Sequence, residues 1–209
     1  MAGEPTFEDI GATMKKAAAA LRDADIPFAL AGSLASWARG GPETTHDLDF
    51  VIRPGDAQAA ATALEQAGMR AEDPPEEWLV KAWDDNGVLV DLIFGPSGLD
   101  ADEVLERAET VTVMSMDIPV MALEDVITTK VRSLTEHSVD YGTLLVMGRA
   151  LREQIDWAAV RRRTAGSPFA DAYFVLLDRL GIVPEGSAGG RSDAGRVHVE
   201  VTTSREGRS

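Results

Sequence analysis

Three acids in this chain sit where acids are costly. Asp47 and Asp49 are separated by one residue and run straight into the apolar Phe50, Val51 and Ile52. Side chains alternate faces along a strand, so the two carboxylates would point the same way. Asp91 interrupts a second apolar run, residues 88–94, which reads as another buried strand. Like charges on one buried face repel unless a cation lies between them. Hard oxygen donors suit Mg²⁺, which usually also binds substrate phosphates. If the two runs are adjacent strands, three carboxylates converge, as a two-metal phosphoryl or nucleotidyl transfer site requires.

Upstream, an apolar run at 27–31 ends in Gly32 and Ser33. Glycine allows close backbone approach to a phosphate. Residues 34–39 read as a short helix, whose N-terminal N–H groups would face that phosphate. The Ser33 hydroxyl could add a hydrogen bond. The plainer alternative is a strand-to-helix turn in which Ser33 is only the N-cap.

Gly-Ser, a short helix, a spacer, Asp-x-Asp on a strand and a later single Asp together resemble the DNA polymerase β-like nucleotidyltransferase superfamily. The likeness is to its small bacterial branch, which contains antibiotic nucleotidyltransferases and the nucleotidyltransferases of toxin–antitoxin pairs. Gly32, Ser33, Asp47, Asp49 and Asp91 carry the match, over about residues 7–160. His46, just before the first Asp, is similar to the aminoglycoside and lincosamide enzymes. The resemblance implies Mg²⁺-dependent transfer of a nucleoside monophosphate from a nucleoside triphosphate to an acceptor hydroxyl. Asp47 and Asp49 would hold the nucleotide-bound ion, and with Asp91 a second ion near the acceptor oxygen.

Other residues have two readings each. Lys130, in the stretch 123–132, resembles the helix lysine that contacts the triphosphate in related enzymes; a solvated helix lysine is the alternative. Arg39 is a further phosphate candidate, or half of a surface salt bridge. The resemblance makes Asp140 a candidate general base for the acceptor hydroxyl; the alternative, which its position favours, is a helix N-terminal charge. His46 could contact the acceptor or order its loop. Arg161, Arg162 and Arg163 form a basic run read as a solvated helix face. Of Trp37, Trp78, Trp83 and Trp157, one could stack on a base, but spacing does not say which.

The elements that must position these groups follow from periodicity. Residues 7–24 have helical spacing, with Phe7, Ile10, Met14, Ala18 and Leu21 on one face. Strands are expected at 27–31, 47–53, 78–83, 88–94, 110–114 and 118–121, and helices at 56–67 and 101–107. Asn86-Gly87 between two apolar alternating runs is a hairpin signal. From 123 the pattern is helical: to 135, then 139–153, 157–163 and 169–180. Strands first and helices last argue an α+β class: a mixed-sheet nucleotidyltransferase core (1–122), a helical C-terminal part (123–183) and a tail (184–209). That tail is rich in Gly, Ser and Arg and reads as disordered, although 197–201 alternates like a strand.

Composition bounds the partners. With 44% hydrophobic residues the chain can build a core, and it has no cysteine for disulfides or thiolate metal sites. Nothing resembles a membrane span or a signal peptide, so a cytoplasmic location is expected. The net charge of −15 lies in the folded part, because acids and arginines balance in the tail. An acidic body opposes nucleic acid and suits a cationic small molecule or a basic protein. Three rivals remain: a nucleotide-binding antitoxin or regulator without transfer, a toxin acting on tRNA, and a sugar-nucleotide glycosyltransferase. The last leaves Gly32, Ser33 and Asp91 unexplained.

Overall fold

Thr6 begins the first helix by capping it. Its hydroxyl accepts from the Asp9 amide at 3.2 Å, and the Asp9 carboxylate accepts from the Thr6 amide at 2.8 Å. The helix α1 (Phe7–Asp23) then buries Ile10, Met14, Ala17, Ala18 and Leu21. These facts come from a computed structural model of the protein, which describes residues 5–43, 47–72 and 76–183. His46 and the tail from 184 onward, including the alternating stretch 197–201, lie outside the described residues.

The other elements alternate around one mixed sheet. The strands are β1 (Phe28–Leu30), β2 (Leu48–Ile52), β3 (Arg70–Glu72), β4 (Leu79–Trp83), β5 (Leu89–Ile93), β6 (Glu109–Val113) and β7 (Met116–Val120). Their spatial order is β3-β4-β5-β2-β1-β7-β6. The helices after α1 are α2 (Gly32–Trp37), α3 (Ala57–Gln66), α4 (Ala101–Glu106), α5 (Leu123–Arg132), α6 (Tyr141–Leu151), α7 (Trp157–Arg163) and α8 (Pro168–Arg179). The class is α+β, as the order of periodicities predicts.

Two turns set two registers. Asn86 donates its amide to the Asp84 carboxylate at 2.9 Å, and Gly87 takes φ 78°. This closes β4 onto β5 with Trp83 opposite Leu89 and Lys81 opposite Asp91. Met114 and Ser115 both take positive φ, 48° and 67°, which closes β6 onto β7. That turn is tighter than the sequence suggests, so β7 starts at Met116 rather than at 118. The short edge strand β3 was not expected, because two of its three residues are exposed and give no apolar signal. The helix α2 starts at Gly32, two residues before the expected 34.

β2 pairs antiparallel with β1 and parallel with β5. Leu48, Phe50 and Ile52 are fully buried on one face, which leaves Asp49 and Val51 on the other. The hydrophobic core is continuous from Ile10 on α1, through Phe50 and Leu92, to Leu177 on α8. The helix α5 packs on α2 and also on α6, α7 and α8.

The run Arg161–Arg163 departs from its reading as a solvated face. Arg163 donates to the Asp125 carboxylate, which is fully buried in the first turn of α5 and also accepts from Arg107 at 2.9 Å. The Arg161 guanidinium lies 4.0 Å above the Phe174 ring. Only Arg162 is exposed. A buried carboxylate demands countercharge, and that demand draws Arg163 and Arg107 to Asp125.

Candidate active site

Asp49 and Asp91 are register partners on the parallel pair β2–β5. Directly opposed residues share a face, so their carboxylates stand side by side. Lys81 is the partner of Asp91 on β4. A row Lys81–Asp91–Asp49 therefore crosses three strands. Asp47 lies just before β2, exposed to solvent, and its charge still acts on both Asp49 and Asp91.

This crowding perturbs protonation. Burial, and then the charge of Asp91, push the Asp49 carboxyl up to about 7, while Lys130 pulls against them and Asp47 adds to the rise. The Asp91 carboxyl is also raised, first by burial; Lys81 opposes the rise, and Asp47 and Glu76 add to it. The Asp91 Oδ1 is buried with no hydrogen-bond partner. Among the described residues, no three acidic or histidine side chains are already gathered around one metal position. The Asp49–Asp91 pair still fits a divalent ion on its own chemistry. It offers only oxygen donors, one of them orphaned, between charges that repel.

Gly32 opens α2 at φ +60°, and a Cβ there would lie 1.8 Å from Asp49 Oδ2. The glycine thus makes room for a carboxylate, whereas the sequence suggested room for a phosphate. Nor is Ser33 the N-cap: that position is Ala31, and no side chain caps the helix. The Ser33 hydroxyl instead accepts from Lys130 Nζ at 3.2 Å. Lys130 lies in the last turn of α5, so the packing of α5 on α2 brings these two residues together.

A cleft opens beside this group. Ala31, Gly32, Asp49, Val51, Trp78, Ile93, Pro96, Met121, Thr129 and Lys130 line it, with Ser97 and Ser133. The lining joins the Lys130 ammonium and the hydroxyls of Thr129, Ser97 and Ser133 to the Trp78 indole and the aliphatic Val51 and Ile93.

Two candidate residues have other partners and do not line the cleft, although the charge of Lys130 still acts on Asp140. Arg39 donates to Glu109 at 2.8 Å and to the Val120 carbonyl at 3.3 Å, and it is not among the cleft residues. It ties the end of α2 to the β6–β7 hairpin, as the salt-bridge reading had it. Asp140 caps α6, accepting from the Thr143 amide at 3.1 Å. The Thr143 hydrogen bonds hold its carboxyl below the ordinary range. Two further residues emerge. Trp78 is the tryptophan that faces the cleft, which no spacing revealed. Lys81 was not legible: a two-residue Asn-Gly turn would set Ala82 opposite Asp91, and the three-residue turn that pairs Asp84 with Val88 brings Lys81 there instead.

No family model matches the chain, and no curated protein matches it. Solved structures do. ANT(2″)-Ia in complex with adenylyl-2″-tobramycin superposes with a TM-score of 0.58 at 15% identity, over 78% of this chain and 97% of that one. The solution structure of the antibiotic-resistance factor ANT(2″)-Ia gives the same TM-score over 82% of this chain and 97% of that one. A nucleotidyltransferase candidate from Thermotoga maritima matches with a TM-score of 0.50 at 18% identity, over 60% of this chain and 85% of that one. At such identities the likeness is one of fold. This chain has the nucleotidyltransferase fold.

Proposed function

We propose that the protein transfers a nucleoside monophosphate from a nucleoside triphosphate to an acceptor hydroxyl, with Mg²⁺ as its metal. The observation that carries this reading is the in-register pair Asp49–Asp91, with the orphaned Asp91 Oδ1, beside the Ser33–Lys130 contact. ANT(2″)-Ia, captured with an adenylylated antibiotic, lends the fold a chemistry of this kind.

Asp49 and Asp91, with Asp47 at the strand entrance, would hold the metal. Bound there, a divalent ion would offset the crowded negative charge and polarise the phosphate oxygens. Lys130 and Ser33 would hold the triphosphate, the ammonium neutralising charge on the departing pyrophosphate. Gly32 lets Asp49 occupy its place against α2. The acceptor oxygen would form a bond to the α-phosphorus, the bond to pyrophosphate would break, and the acceptor would give up its proton. An acidic body, net charge −15, favours a small-molecule or protein acceptor over a polynucleotide.

A thermal-shift series with ATP, CTP, GTP and UTP, with and without Mg²⁺, tests the reading. A nucleotide-dependent rise that needs the metal is expected, followed by incorporation of labelled nucleotide into an acceptor. No shift with any nucleotide would sink it.

A further inference from the structure

Trp78 stands outside the packing that occupies the other tryptophans. Trp157 is buried and donates to the Arg152 carbonyl at 3.1 Å. Trp83 donates to Glu72 at 2.8 Å. Trp37 packs edge-on against Phe7 at 4.8 Å. Trp78 is 46% exposed, although it lines the cleft.

Its backbone is nevertheless fixed. The Trp78 carbonyl accepts from the amides of Phe94 and Gly95, at 3.0 and 3.1 Å. Gly95 passes so near that a Cβ on it would lie 2.8 Å from the Trp78 Cβ. The indole is therefore carried by the sheet, at the point where β5 ends. Val51 and Ile93 line the same cleft, as do Gly32, Asp49 and Lys130.

We propose that Trp78 is the stacking surface for the nucleobase of the bound triphosphate, so that the site recognises a ring face rather than a base edge. This rests on the nucleotidyl-transfer reading above. A nucleotide has an anionic end and an aromatic end, and this one cleft is lined both by the Lys130 ammonium and by the Trp78 indole. Indole is apolar with a negative face, and it gains by covering a flat ring. Every base has such a ring, so stacking tolerates all four.

The test compares Trp78→Phe, Trp78→Leu and Trp78→Ala by calorimetry with each nucleoside triphosphate and with inorganic tripolyphosphate, all with Mg²⁺. Leu and Ala should weaken all four nucleotides about 10-fold or more, and Phe should restore much of the loss. Tripolyphosphate, which has no ring, should bind all four proteins alike. Tryptophan fluorescence of the wild type should be quenched by nucleotides and not by tripolyphosphate. Phe and Leu both keep apolar bulk, so their contrast isolates the ring. Leu binding nucleotides as well as Trp, or tripolyphosphate weakening in step with nucleotides, would overturn the stacking role and leave the metal and phosphate site standing. A wild type that binds neither nucleotide nor tripolyphosphate would overturn the transfer reading itself.

Discussion

Gly32 and Asp49 fit each other at one point: the Asp49 Oδ2 occupies the space a Cβ on residue 32 would need, 1.8 Å away. The positive φ of Gly32 adds a second reason for glycine there. Gly32→Ala should therefore cost roughly 1–3 kcal/mol from backbone strain, and the clash with Asp49 adds to that. The variant Asp49→Ala should relieve the clash, so the double variant should be less destabilised than the sum of the two singles. Urea unfolding of the four proteins measures this, and strict additivity would show that the two residues do not contact each other.

Removal of Asp49's charge should stabilise the metal-free protein in a pH-dependent way. The folded carboxyl ionises near 7, against 3.8 ordinarily. Between those values the folded chain holds a proton that the unfolded chain has lost. The contribution of this group is thus fully present below the lower value and is lost as pH rises through the upper one. A displacement of that size corresponds to at most about 4 kcal/mol. The Tm advantage of Asp49→Asn over wild type should accordingly widen from about pH 5 to about pH 8. A constant difference across that range would contradict the raised value.

Metal-dependent nucleotide binding should fail when either acid of the Asp-x-Asp pair is neutralised. Asp47→Asn and Asp49→Asn are each expected to abolish the Mg²⁺-dependent part of triphosphate binding with the fold intact. Calorimetry with and without Mg²⁺ reports it. Unaltered affinity in both variants would remove these acids from the site.

Lys130→Met should weaken both nucleotide and tripolyphosphate by about 10-fold or more, the usual worth of a hydrogen bond to a charged group. The Ser33 hydroxyl would lose its donor, at 3.2 Å, in the same variant. Equal loss for the two ligands separates this residue from Trp78, whose loss should fall on nucleotides alone.

The buried Asp125 should be among the most sensitive polar positions. Asp125→Ala would leave Arg107 and Arg163 without their shared anion, at a cost of about 3–5 kcal/mol. Arg162→Gln, on the exposed member of the run, should stay within about 0.5 kcal/mol of wild type. Urea midpoints for the two would separate the roles, and similar small values would restore the picture of a solvated basic face.

The sequence alone determined what local chemistry can determine. An acid inside an apolar run is an anomaly visible in a few residues, so Asp49 and Asp91 stood out. The Asn-Gly turn announced a hairpin, though its register, with Lys81 opposite Asp91, waited on the three-residue loop that the structure shows. Alternation and helical spacing located most strands and helices, because burial imposes the two periods directly. Tertiary structure decided the rest, since it brings together segments that no local rule connects. That β5 lies parallel to β2, with Asp91 level with Asp49, depends on the pairing of strands far apart in the chain. Whether Arg39 meets a phosphate or Glu109 depends on where the β6–β7 hairpin falls. The same holds for the reach of Lys130 to Ser33, for the turning inward of Arg163 to Asp125, and for the choice of Trp78 among four tryptophans. A long flexible cation or a broad ring takes the partner its surroundings provide, and those surroundings exist only once the chain has packed.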